Sequence, residues 1–145
     1  MAYFAIDGSP QGKARARTVR NKKTGKVNSF TPKKTTAYED YVKQCFLQQV
    51  KPDARWFNKE PLEIFITAFF PIPARTTKRD RQLMLEGKML PTKKPDADNI
   101  AKAICDALNG VAYGDDSQIA KLTVVKKYTE TPRLQVYLKG IGEPL

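Results

Sequence analysis

At 145 residues the chain is one domain in size, long enough to bury roughly 70% of the surface it exposes when unfolded, without disulfide or metal staples. Its 26 Lys and Arg against 15 Asp and Glu give +11 and a pI near 9.7, a field that attracts polyanions, nucleic acid before anionic membrane. The absence of histidine argues against Ser-His and Cys-His catalysis and histidine zinc sites. No apolar run reaches the ~18 residues of a membrane span and no signal peptide opens the chain, so a cytoplasmic protein is expected.

Residues 2–7 are short, apolar and β-prone, and they end at Gly8-Ser9-Pro10, which predicts a first strand. Residues 9–34 carry nine Lys or Arg and no acid, broken by Gly12, Gly25 and Pro32; they read as a long basic loop or hairpin. Thr36 with Glu39 makes a capping-box pattern, and Tyr38, Tyr41, Val42, Cys45 and Phe46 recur at helical spacing, so residues ~37–50 are expected to be an amphipathic helix. Residues 62–70, between Pro61 and Pro71, form the strongest strand pattern in the chain. Thr77 to Gly87 predicts a short charged helix, residues 88–98 an extended or loop segment, and residues 99–109 a helix capped by Asn109-Gly110. Residues 119–128 and 133–141 read as two strands joined around Thr131-Pro132, expected to pair as a hairpin. The order of elements predicts a single α+β domain, a mixed sheet of about four strands with two to three helices packed on it. Cys45 and Cys105 lie in helix-like apolar stretches without metal-type spacing and are expected as buried free thiols.

Residues 95–118 are the informative stretch. They hold five acids (Asp96, Asp98, Asp106, Asp115 and Asp116) against the single base Lys102, leaving +15 on the rest of the chain. Clustered carboxylates repel and raise one another's pKa, so a compact negative patch in a basic protein calls for a cause. Asp96 and Asp98 are two apart in a segment held extended by Pro95, which projects both to one side, and Asp98 is placed to cap the following helix. Asp115 and Asp116 follow a turn at Tyr113-Gly114. A helix packed antiparallel to the next strand would return Asp116 to Asp98, gathering hard oxygen ligands suited to Mg²⁺ or Mn²⁺. Between the pairs the only polar stripe is Asn99, Lys102 and Asp106, so Lys102 reaches toward the same pocket, where it could stabilise charge on a phosphate. Structural readings stand beside these. An Asp at a helix start serves as a cap, Asp-Asp after a turn serves the turn, and Lys102 on a polar face is solvated or pairs with Asp98 or Asp106.

The segment Pro95-Asp96-Ala97-Asp98-Asn99, then Lys102, then Asp106-Ala107-Leu108-Asn109-Gly110, then Tyr113-Gly114-Asp115-Asp116-Ser117-Gln118 resembles the RusA-type Holliday junction resolvases. Weaker echoes lie in Pro10-x-x-Lys13-x-Arg15-x-Arg17, in Thr31 to Thr35 and in Tyr38-Glu39, so the resemblance covers most of the chain. It implies a homodimer that binds four-way DNA junctions and makes paired symmetric nicks with Mg²⁺ or Mn²⁺ in recombination and repair. On that pattern Asp96, Asp98 and Asp116 match the metal-binding carboxylates and Lys102 the catalytic lysine, with Asp115 and Asn99 as supporting residues. The basic insertion from Arg20 to Lys26 departs from the pattern.

Lys13, Arg15, Arg17, Lys33, Lys34, Lys93 and Lys94 are the candidate DNA contacts, Lys93 and Lys94 standing directly before the acidic pair. Trp56, Phe57, Phe69 and Phe70 are expected in the core rather than as wedges in DNA. Two other functions fit the same residues: a non-catalytic nucleic-acid-binding protein with a structural Asp cluster, and a metal-dependent nuclease acting on flaps, forks or RNA.

Overall fold

The computed structural model describes residues 1–13, 17–30 and 33–141. In chain order the elements are β1 (Ala2–Asp7), β2 (Arg17–Arg20), β3 (Val27–Phe30), α1 (Lys33–Gln49), β4 (Leu62–Pro71), α2 (Lys78–Leu85), α3 (Ala97–Leu108), β5 (Ile119–Thr129) and β6 (Arg133–Gly140). Four strands make a mixed sheet in the order β1-β6-β4-β5, parallel only between β4 and β5. The expected α+β domain is what forms. The basic segment is a separate two-stranded hairpin, β2 with β3, closed by a turn in which Asn21 Oδ1 accepts from the Lys23 and Thr24 amides and Gly25 takes φ +72°.

Strand β4 explains the topology. Leu62, Ile64, Ile66, Thr67, Ala68 and Phe70 are all buried, so this strand requires neighbours on both edges and cover on its faces. It therefore separates β5 from β6, and the expected hairpin between those two strands does not form. A parallel neighbour also needs a crossover, and the chain between β4 and β5 makes one that contains α2 and α3. On one face of the sheet, Phe4, Ile6, Ile64, Ile66, Leu134, Val136 and Leu138 pack with Val42 and Phe46 of α1 and with Ile100, Ile104 and Leu108 of α3. Phe4 and Phe46 meet edge to face with ring centroids 5.4 Å apart. The opposite face leaves Tyr3, Tyr137 and Phe65 exposed in one cross-strand row, with the Tyr3 and Tyr137 rings tilted against each other, centroids 4.6 Å apart.

Helix boundaries differ from the sequence reading by a few residues. Helix α1 begins at Lys33, so Thr36 lies inside it rather than at its cap. Helix α3 begins at Ala97 and its cap position is Asp96, not Asp98. Asn109 ends α3 and Gly110 follows at φ +76°, the left-handed conformation expected of a residue just past a helix. Both cysteines are buried free thiols as anticipated. Phe57 and Phe70 are core, Phe69 is half-buried beneath the Arg133 guanidinium, and Trp56 is exposed, its indole donating to Asn58. Among the described residues no helix is long and apolar enough to cross a membrane.

Candidate active site

The two ends of α3 carry the acids singled out above. At its N-terminus, Asp96 holds the cap position with extended backbone, yet its side chain accepts no capping hydrogen bond. An Asp in that position is ordinarily explained by the N–H groups it satisfies. Here that explanation fails, and the Asp96 carboxylate is exposed and uncommitted. Asp98, in the first helical turn, is exposed too, and neither acid has an ion-pair partner among the described residues.

Beyond the C-terminus, adjacent aspartates have opposite fates. Asp115 caps the single turn Asp116–Gln118: its carboxylate accepts from the Ser117 amide at 3.1 Å, and Gln118 completes the reciprocal bond by accepting from the Asp115 amide. The Ser117 hydrogen bonds hold the Asp115 carboxyl below its ordinary range. Gln118 also accepts from the Gly114 amide and donates to the carbonyls of Asn58 and Glu60, fastening the turn to the segment before β4. Asp116 is the opposite case. Burial pushes its carboxyl up; Asp106 and Asp115 add to that rise, while the Tyr113 hydroxyl and Lys102 ammonium oppose it. Its Oδ1 is buried with no hydrogen-bond partner. A buried carboxylate oxygen left unsatisfied costs stability and needs an account.

The surroundings of Asp116 narrow the chemistry. Tyr113 is fully buried and donates its hydroxyl to the Cys105 carbonyl at 2.9 Å. Burial, helped by the Asp116 charge, holds the Cys105 thiol up at about 11, so it stays protonated at neutral pH and is no nucleophile. Lys102 is exposed on α3, bears electrostatically on Asp116, and makes no ion pair among the described residues. Asp106 does not pair with Lys102. It accepts from Lys13 Nζ at 3.2 Å, and the same ammonium bonds Glu39 of α1 at 2.5 Å.

These arrangements were not legible in the sequence. The pairing of Lys13 with Asp106 spans most of the chain, and Tyr113, read only as part of a turn, gave no sign of its bond to the Cys105 carbonyl. Asp106 had a signal, its position on the Lys102 stripe.

Among the described residues, no three Asp, Glu, Cys or His side chains converge closely enough to hold a metal ion. The three carboxylates expected to meet form no such group as they stand: Asp116 lies near Asp106 and Lys102, and Asp96 and Asp98 are exposed at the start of the helix. Donor chemistry nevertheless fits a hard divalent cation. The site offers only carboxylate oxygens, one of them buried and orphaned at Asp116, and two more carboxylates without protein partners.

The other candidates lie around this centre. Asn99 is half-buried, its carbonyl accepting from the Lys13 amide at 3.1 Å. Lys93 and Lys94 are exposed, and Lys33 and Lys34 form the exposed first turn of α1. Arg17 lies on β2, and Arg15 falls outside the described residues.

Comparison with known proteins agrees across nearly the whole chain. Residues 7–139 match the family described as Endodeoxyribonuclease RusA. Over 142 residues, covering 96% of both chains, the sequence is 33% identical to the uncharacterized protein YqaN of Bacillus subtilis strain 168.

Proposed function

Because the chain belongs to the RusA endodeoxyribonuclease family, we propose that it is a metal-dependent nuclease that resolves four-way DNA junctions by paired symmetric cuts in recombination and repair. The observation that carries this reading is the buried, unsatisfied Asp116 oxygen near Lys102, which makes no ion pair among the described residues. Asp116, Asp96 and Asp98 would hold Mg²⁺ or Mn²⁺. When bound, the cation supplies Lewis acidity that neutralises phosphate charge and acidifies water. The Lys102 ammonium meets the charge developing on the scissile phosphate. Asp115 holds the turn that presents Asp116, and Asn99 anchors the first turn of α3. Buried Cys105 and Tyr113 keep the inner wall of the site dry.

Lys93 and Lys94 grip the phosphates beside the cut. Arg15, Arg17, Lys33 and Lys34 extend the basic surface along the duplex arms, positioning DNA without reading its bases. A homodimer matches the approximate two-fold symmetry of a junction and places equivalent sites on opposing strands. The exposed Tyr3, Tyr137 and Phe65 row offers an apolar surface for that association.

The test uses synthetic four-way junction, linear duplex and fork with Mg²⁺, repeated with Asp98→Asn. The expected result is junction cutting by the wild type, and binding without cutting by the variant. Wild-type binding without cutting would make this a non-catalytic nucleic-acid-binding protein. Equal cutting of fork and junction would make it a general branched-DNA nuclease.

A further inference from the structure

Asp106 stands four residues after Lys102 on α3, a spacing at which a lysine and an aspartate on one helix face can pair. The pair does not form. Asp106 is taken instead by Lys13, which reaches in from the segment after β1 and simultaneously holds Glu39 of α1. This is a built contact rather than a surface encounter. The Lys13 and Glu39 side chains are only 17% and 16% exposed, and Asp106 is 28% exposed. The backbone around Lys13 is fixed as well: its amide donates to the Asn99 carbonyl at 3.1 Å, and the preceding Gly12 lies so close to α3 that a Cβ there would meet Pro95 and Asn99 at 3.0 Å. Although Lys13 belongs to a run of basic residues suited to DNA, its ammonium is spent inside the protein.

We propose that Lys13 is a positioning residue that sequesters Asp106, so that Lys102 stays unpaired and available to the phosphate. The inference rests on the nuclease reading above and assigns Lys13 a role that acts through Asp106 and Lys102. The electrostatic surroundings agree, since burial opposes the Lys13 charge and Glu39 and Asp106 outweigh it, raising its pKa. Without Lys13, Asp106 has one cation within helical reach, and that cation is Lys102.

The experiment compares wild type, Lys13→Met, Asp106→Asn and the double variant for junction affinity without divalent metal and for single-turnover cleavage with Mg²⁺. Lys13→Met is expected to slow cleavage on the order of tenfold or more, as loss of a transition-state donor does, while junction affinity changes by less than about twofold. Asp106→Asn alone is expected to cut near the wild-type rate, and adding it to Lys13→Met to restore cutting, because no carboxylate is then left to capture Lys102. Loss of affinity in Lys13→Met with no rescue by Asp106→Asn would make Lys13 a phosphate contact and overturn the proposal.

A spectroscopic arm is independent of turnover. In protein reductively methylated with ¹³C, the Lys102 signal, assigned by its loss in Lys102→Arg, should move in Lys13→Met and return in the double variant. An unmoved signal overturns the proposal even if no substrate is cut, whereas failure of the wild type to cut any junction overturns the nuclease reading alone. Should Lys13→Met not fold, Asp106→Asn in the wild-type background decides: a gain in cutting rate would show that Lys102 was already captured.

Discussion

The two ends of α3 present acids of the same kind in opposite states of order. At the far end, Asp115, Gly114 and Gln118 hydrogen-bond one another, Gln118 ties the turn to the segment before β4, Tyr113 holds the Cys105 carbonyl of α3, and Asp116 is half-buried with an unmet oxygen. At the near end, Asp96 forgoes the capping bond its position offers, and Asp98 beside it is exposed. One carboxylate is fixed in a partly buried setting, and two are exposed without partners among the described residues. In the proposed site, that division would let the fold set one carboxylate while the other two order onto a cation and a phosphate. Preorganisation at one end costs stability, and freedom at the other costs ordering on binding.

The sharpest way to break this comparison is Asp116→Asn. Cleavage is expected to fall on the order of a thousandfold with junction binding retained, which gel-shift and cleavage assays read together. The same variant reports on the buried charge. Burial raises the Asp116 carboxyl, so the folded chain holds that proton to higher pH than the unfolded chain does. Stability from this group is therefore present below the ordinary carboxylate value of 3.8 and is lost as pH rises through the raised value. Asp116→Asn should accordingly melt a few degrees higher than wild type at pH 7, with the difference closing at acid pH. Mg²⁺ or Mn²⁺ should raise the wild-type Tm and leave that of the variant in place.

The rigid end can also be loosened without touching Asp116. Asp115→Ala removes the cap of the turn and is expected to lower Tm slightly and to reduce cleavage roughly tenfold, whereas Asp115→Asn keeps an acceptor at the Ser117 amide and most of both. Equal damage from the two variants would show that the Asp115 charge, rather than the cap, is what matters. The smallest effect is expected outside the acidic stretch. Lys93→Ala with Lys94→Ala should weaken junction binding several-fold and shallow its salt dependence by about two phosphate contacts, leaving single-turnover cleavage of saturated DNA near wild type.

What was legible in the sequence was local. The strand at 62–70, the helix ending at Asn109-Gly110 and the basic hairpin were each written in periodicity and turn residues, and they form where expected. The acidic stretch was legible as a stretch, because five acids in a basic chain stand out by composition alone. What failed was long-range. Whether β5 pairs with β6 is decided by the burial that β4 demands, not by the short connection between the two strands. Whether Asp106 takes Lys102 or Lys13 is decided by how the segment after β1 crosses α3, and no spacing records that. The cap was misplaced for a subtler reason. Asp96 and Asp98 are both good capping residues, and the helix starts at the one whose side chain is left unused.

The position of β6 has a consequence for how this molecule comes into being. Among the described residues it is the last strand in chain order, yet it lies between β1 and β4 and pairs with both. Until it is laid down, β1 shares no ladder with β4 and β5, and the wall against which α1 and α3 close is split in two. Lys13 hangs from the first part and Asp106 from the second. A polypeptide still emerging from the ribosome therefore carries the acids of residues 96–116 before β6 exists, and the sheet is joined into one only after β6 has paired with both β1 and β4.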